Sequence, residues 1–324
     1  MLLMHSGCQP GATPDSAGST PVAGGPGQDL TGTPAAWVAD PLMVANLKAH
    51  VVMLAETIGL RSTRYPEGYS KAAAYLESEL VKLGYQVQRQ AYEVDGHRCL
   101  NMWVERTAGK EVLVVGAHYD TCDRTPGADD NASGCAATLE LARLLKDSKD
   151  GPTVRLVFFA NEEPPYFQTE KMGSLVYARS CRQAGENLLG MISMESLGYF
   201  SDQPGSQNFP IGISGYPETG NFVGFVSDLT SQPFMQTCLK GFKKEGTIHA
   251  EGLAAPGMLS GIMWSDHWSF AECGYPALMI TDTAPFRNPN YHMTTDTPDT
   301  LDYDRLAAVT EGTYRMIIGL GSRP

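Results

Sequence analysis

Three short apolar runs in this chain each finish on an acid or a histidine. Glu111–Ala117 is followed by His118, Val154–Ala160 by Asn161 and the pair Glu162 and Glu163, and Gly190–Met194 by Glu195. A carboxylate at the end of a buried strand loses hydration, which is costly unless something compensates it. Acids and a histidine gathered at the carboxyl ends of several strands point to a bound cation. In open α/β sheets that edge is also where ligands bind. A mixture of imidazole nitrogen and carboxylate oxygen suits zinc.

The flanking residues refine this picture. In Gly116-Ala117-His118-Tyr119-Asp120, Asp120 can accept a hydrogen bond from the free ring N–H of His118, the arrangement that orients metal-bound histidines. Gly127-Ala128-Asp129-Asp130-Asn131-Ala132-Ser133-Gly134 is a small-residue turn running into a helix. Small residues there let the backbone approach closely and aim Asp129 back at the strand edge. Taken singly, these segments also read as an ordinary His-x-Asp pair and a helix-capping turn. The adjacent Glu162 and Glu163 repel each other unless they do different work. Glu163 as a metal ligand and Glu162 as a free base, shuttling a proton from water to a leaving amine, satisfies that condition. The simpler alternative is an exposed acidic turn.

The elements that must position these residues follow from periodicity. Asp40–Gly59 and Glu67–Leu83 carry apolar residues at helical spacing, and Tyr85–Tyr92 alternates as an edge strand does. Leu100–Glu105 is a strand. Glu111–Ala117, Val154–Ala160 and Gly190–Met194 read as strands covered on both faces. Gly134–Lys146 and Ser174–Ala184 are helices. Further elements are expected at Phe209–Ser214, as a helix from about Gly220, at Ala277–Ile280 beside Asp282, and as a closing helix over Asp302–Leu320. Strands alternating with helices predict an α/β fold, with a mixed, largely parallel central sheet and helices on both faces. No repeat is visible, and one domain over residues 36–324 is expected.

Composition bounds the rest. The chain has 324 residues, 42% of them hydrophobic, and a net charge of −12, which argues against nucleic acid or an anionic membrane as a main partner. Its seven cysteines form no CxxC pair and no zinc-finger spacing. Residues 1–35 differ in kind: from Gln9 to Ala35 they are rich in Gly, Pro, Ser and Thr and are expected to be a flexible tether. Ser6-Gly7-Cys8 before that tether resembles the end of a bacterial lipoprotein signal. That resemblance implies lipidation of Cys8, with membrane attachment through it alone, and a cell-envelope or secreted location. The apolar stretch before Cys8 is short and His5 stands where an aliphatic residue is usual, so the alternative is a chance cysteine in a leader.

In order along the chain, GAHYD, GADDNASG, FFANEEPP, MESLGYF, SDHWSF and YHMTTDTPDTLDY resemble the zinc aminopeptidases of clan MH. These are the bacterial leucyl aminopeptidase-like enzymes of peptidase family twenty-eight. The resemblance spans roughly Ile58 to Tyr303 and is specific because separated motifs agree in order and approximate spacing. It implies the zinc-exopeptidase, phosphorylase/hydrolase-like fold and two co-catalytic zinc ions. Asp129 would bridge both, His118 and Glu195 would complete one site, Glu163 and His292 the other, and Glu162 would be the general base. Peptides with a free N-terminus are the implied partners. Many members carry aspartate where this chain has Glu195, and the extra methylene changes the reach of that ligand.

Other histidines are given lesser parts. His267, next to Asp266, is expected in a structural or substrate-pocket role rather than as a ligand, and His50, His97 and His249 as surface or core residues. The loop Pro164–Met172, with Tyr166 and Phe167, either walls the substrate pocket or packs as a lid. Two rivals to an aminopeptidase are a single-zinc glutaminyl cyclase-like enzyme and a non-catalytic binding ectodomain of the same fold. Intact His118 and the ADDNASG turn favour two metals, and a complete ligand set argues against the ectodomain.

Overall fold

Nearly continuous apolar runs cannot leave a face to water, and those of this chain become strands covered on both sides. The computed structural model describes residues 37–320; the leader and tether expected over residues 1–35, with Cys8, lie outside the described residues. In chain order the elements are α1 (Pro41–Val51), α2 (Pro66–Lys82), β1 (Gln88–Val94), β2 (His97–Arg106), β3 (Val112–His118), α3 (Gly134–Leu145), β4 (Thr153–Phe159), α4 (Gly173–Gln183), β5 (Leu188–Glu195), β6 (Val223–Ser227), α5 (Gln232–Glu245), β7 (Ala250–Ala254), α6 (His267–Glu272), β8 (Ala277–Thr281), α7 (Ala284–Arg287) and α8 (Tyr303–Gly319).

The strands form one sheet in the order β1-β2-β4-β3-β5-β8-β6-β7. Its centre, β4-β3-β5-β8, is parallel. Antiparallel pairs attach β1 to β2, β2 to β4 and β6 to β8, and β7 runs parallel to β6. This is the mixed, largely parallel sheet the alternation of elements predicts.

Leu113, Val115 and Ala117 of β3 join the core beneath α1, α3 and α8, while Val114 packs with Phe159, Tyr177 and Phe270 on the opposite face. From β3 the chain crosses to β4 on one side, then returns past β3 to β5 on the other. That reversal opens a crevice at the carboxyl ends of β3 and β5.

Several sequence expectations are corrected. The helix expected over Asp40–Gly59 is α-helical only through Val51; Val52–Ile58 continues in wider turns and stops at Gly59, whose φ of 78° favours glycine. The edge strand begins three residues later than Tyr85. Phe209–Ser214 is irregular, and the helix expected from Gly220 is instead strand β6 followed by α5. All of Val223–Ser227 is buried, and a short apolar run gives no period by which to tell strand from helix. Strand β7 and helix α6 were not anticipated.

Arg61, 0% exposed, fastens the approach to the site. Its Nε donates to the Tyr119 carbonyl at 2.9 Å, Nη1 to those of Leu54, Gly59 and Pro126 at 2.8, 2.9 and 2.7 Å, and Nη2 to that of Gly127 at 3.0 Å. One guanidinium thus joins the end of the first helical segment, the residue after His118 and the turn before Asp129. Burial lowers it to about 10, which leaves it charged at neutral pH. Unpaired buried carbonyls are costly, so Arg61→Met is expected to lower stability by at least about 3 kcal/mol. Urea denaturation checks this, and a midpoint equal to that of the parent would contradict the role.

Candidate metal centre

Each functional side chain is delivered by the last residue of a strand or by a sharply turned loop. His118 ends β3 and is 1% exposed. Its Nδ1 lies 3.2 Å from the Asp120 main-chain carbonyl and 3.5 Å from Asp120 Oδ1, so the expected partner is present and the carbonyl is the nearer acceptor. The Asp120 carboxylate has a further task, accepting the main-chain N–H groups of Glu162 and Glu163 at 3.0 and 3.1 Å. It thereby locks the turn after β4 to the end of β3.

Three residues at these turns adopt left-handed backbone: Asn161 before the glutamates, Ser196 after Glu195, and His292 itself, with φ of 56°, 46° and 58°. Such geometry costs about 1–3 kcal/mol for a non-glycine residue and persists only where its surroundings hold it. Asn161 is held by the Tyr69 hydroxyl, which donates to its Oδ1 at 2.8 Å.

The carboxylate between the two histidines is Asp130, not Asp129. Asp130 Oδ1 lies 3.2 Å from His118 Nε2, and Oδ2 lies 3.0 Å from His292 Nε2. Asp129 turns the other way, accepting from the Gly198 N–H at 2.8 Å and the Asn288 side-chain amide at 2.7 Å, beside Asp282. The physical reason is local. Asp130 and Asn131 leave helical geometry, with φ/ψ of −107°/92° and −135°/43°, so the two neighbouring carboxylates diverge. Asp296 holds this loop by accepting the N–H groups of Asp129 and Asp130 at 2.8 and 3.2 Å. Helix α3 then starts hard against β5, where a Cβ on Gly134 would stand 2.2 Å from the Met194 carbonyl oxygen.

The other ligand candidates do converge. Glu195 Oε2 lies 3.3 Å from His118 Nε2, and Glu163 Oε2 lies 3.4 Å from His292 Nε2. The extra methylene of Glu195 is accommodated by Ser265, whose hydroxyl donates to Oε2 at 2.7 Å, and by Ser196, which donates to Oε1 at 3.0 Å. Glu162 is 6% exposed, and its Oε2 is 3.9 Å from His118 Nε2. The His292 ring stacks on Tyr291 with centroids 3.9 Å apart.

His267 stands apart from the cluster, with Nε2 2.8 Å from the Ile262 carbonyl and burial pushing it down to about 4. His249 has an acidic partner that its spacing did not suggest: Glu251, at 2.8 Å.

Electrostatics follow from crowding in a largely buried site. Burial drives the Glu162 carboxyl well above the usual carboxylate range; His118 opposes this, while Glu163 and Glu195 add to it. Burial and the nearby Asp130 push Glu163 up to about 7. Burial also disfavours charge on His118 and His292, but the surrounding carboxylates prevail and hold both well above the ordinary imidazole range.

Beside Glu195 and Tyr291 opens a cavity whose walls include Phe209, Phe222, Trp264 and Phe286. Neither Tyr166 nor Phe167 lines it, so the Pro164–Met172 loop is not its wall. Tyr166 instead reaches Thr63 through its hydroxyl, at 3.3 Å.

The sequence profile of peptidase family M28 matches residues 100–317. The chain belongs to peptidase family M28. It is 34% identical over 282 residues to the uncharacterized protein YfbL of Escherichia coli, covering 84% of this chain and 86% of that one. A probable leucine aminopeptidase of Arthroderma otae is 29% identical over 212 residues, 61% of this chain and 50% of that protein. The chain thus spans about half the length of this fungal relative. The LapA aminopeptidase of Legionella pneumophila shares the fold with a TM-score of 0.66 at 18% identity, over 91% of this chain and 79% of that one. A glutaminyl cyclase of Fimbriiglobus ruber shares it with a TM-score of 0.66 at 20% identity, over 89% and 99%.

Zinc, the metal that M28 membership suggests, fits the residues present. Asp130, Glu162, Glu163 and Glu195 crowd around two imidazoles, and Glu163 Oε1 is buried without a hydrogen-bond partner among the described residues. Donor atoms of His118, Asp130 and Glu195 lie within 4.8 Å of one another. Without a metal the main positive charge facing these carboxylates comes from protonating the imidazoles. A divalent cation supplies that charge and leaves the nitrogens free to coordinate.

Proposed function

We propose that this M28 chain is a zinc-dependent aminopeptidase that removes N-terminal residues from peptides. The observation that carries the reading is Asp130, with one oxygen on each histidine and an acid, Glu195 or Glu163, completing either side. Two zinc ions held by His118, Glu195, Asp130, Glu163 and His292 would polarise the scissile carbonyl and activate a water. Glu162 takes the proton of that water and passes it to the leaving amine nitrogen as the C–N bond breaks. Glu162 also forms a ligand-sized group with His118 and Glu163, so its role as a base is tested by metal content as well as rate.

The aromatic-walled cavity beside Glu195 supports a large apolar N-terminal residue as the preferred substrate. Gly224 lines this cavity with no side chain of its own, and a Cβ there meets Thr283 Cγ2 at 3.2 Å. Gly224→Val is therefore expected to lower kcat/KM for leucyl or phenylalanyl p-nitroanilide by about 10-fold or more relative to the alanyl substrate. An unchanged ratio would place the side-chain pocket elsewhere.

A second reading is cyclisation of N-terminal glutamine, supported by the match to nearly the full length of a glutaminyl cyclase. An aminoacyl-p-nitroanilide panel run beside a glutaminyl peptide decides between them. Amine release from the panel with no pyroglutamate formed sustains the aminopeptidase, and the reverse overturns it.

Among the described residues no helix is long and apolar enough to cross a membrane. The lipoprotein-like leader supports the cell envelope or the exterior as the setting of this activity.

A further inference from the structure

Cys122 is a polar group at this centre for which the proposed reaction has no task. It lies four residues beyond His118, in the turn where the Cys122 carbonyl accepts the Thr125 N–H at 3.2 Å. Its thiol is free and only partly covered, whereas Cys99, Cys135, Cys181 and Cys238 are buried. One donor atom each of Cys122, Glu163 and His292 lie within 4.8 Å of one another. A second observation points to a ligand in the same place. Glu163 is 3% exposed, and its Oε1 has no hydrogen-bond partner among the described residues.

The two halves of the centre are unequal without the thiol. On the His118 side, Glu195 is steadied by Ser265, Ser196 and Asn131. On the other side, Glu163 and a partly exposed His292 stand with Asp130, and among the described residues no hydroxyl or amide steadies the Glu163 carboxylate in the same way.

Building on the metal-centre reading above, we propose that Cys122 is a further ligand on the His292–Glu163 side, giving that half a sulfur, nitrogen and oxygen donor set for a borderline divalent cation. Coordination forms a sulfur–metal bond and releases the thiol proton to solvent, with no change of oxidation state. A thiolate favours zinc or cadmium over the oxygen-seeking magnesium and manganese. The two halves therefore differ in selectivity, and the sulfur-bearing one discriminates more strongly against hard cations.

The test is cobalt(II) substitution of the full chain, read by absorption and by bound cobalt per protein. The expected result is a near-ultraviolet thiolate-to-cobalt charge-transfer band that Cys122→Ser removes while the visible cobalt bands of the remaining ligands persist. In chelator competition, Cys122→Ser is expected to lose at least about 10-fold in cadmium affinity at one site, with the other little changed. Cobalt bound without the band in the parent protein would show that the thiol only neighbours His292, and would overturn the proposal while leaving the metal centre standing. A band that survives Cys122→Ser would assign it to another cysteine and also overturn the proposal. A chain that takes up no cobalt would overturn the metal centre and this ligand together.

Discussion

Glu162→Gln is expected to lower kcat for aminoacyl anilides by about 10²–10⁴-fold with the bound metal unchanged. The substitution keeps the size of the side chain and removes the oxygen that can accept a proton. Glu162 is suited to that task because it is nearly buried, its Oε2 stays 3.9 Å from the nearest imidazole nitrogen, and its main chain is pinned by Asp120. Its neighbour Glu163 is pinned by the same carboxylate and reaches His292 instead. Kinetics together with metal analysis check the assignment. Loss of metal in step with loss of rate would make Glu162 a ligand and remove it as the base.

Asp130→Asn and Asp129→Asn are expected to behave in opposite ways. Asp130 presents one oxygen to each histidine, so its amide analogue removes the charge shared by both halves of the centre. Metal affinity should fall by more than about 100-fold, beyond what loss of a supporting partner costs, and activity should fall with it. Asp129 makes its contacts with Gly198 and Asn288. Asparagine there can still accept from Gly198, but it sets an amide against an amide at Asn288. The expected result is a stability loss of about 1–3 kcal/mol with metal binding largely kept. Titration with zinc and thermal unfolding of both variants separate the two roles. Metal loss in Asp129→Asn with retention in Asp130→Asn would reverse the assignment made from the geometry.

Several features of the fold were legible in the sequence because they are local. Strands β3, β4 and β5 announced themselves as apolar runs, and α3 by its amphipathic spacing. Their ends were placed within one or two residues. The region from Phe209 to Ala254 was read poorly for a physical reason: its strands are five residues each, and the loops between them carry no periodic signal. Ser265 and Asn131, which steady Glu195, were invisible because nothing in their spacing links them to it; the contact with Ser265 spans 70 positions. Arg61 was equally silent, since its acceptors are main-chain carbonyls that have no sequence signature.

The acids and histidines at strand ends were readable because burying such groups demands compensation wherever the strands lie. Read alone, the chain therefore points to acids and a histidine gathered at one sheet edge, with His118, Glu163 and Glu195 among them. It points to Asp129, where the structure sets Asp130 between the histidines. Adjacent identical side chains differ only in the direction the backbone sends them, and that direction depends on a loop held from afar by Asp296. Long-range packing sets that direction, as it brings His292 and Cys122, far apart in the chain, to Glu163 at the same edge.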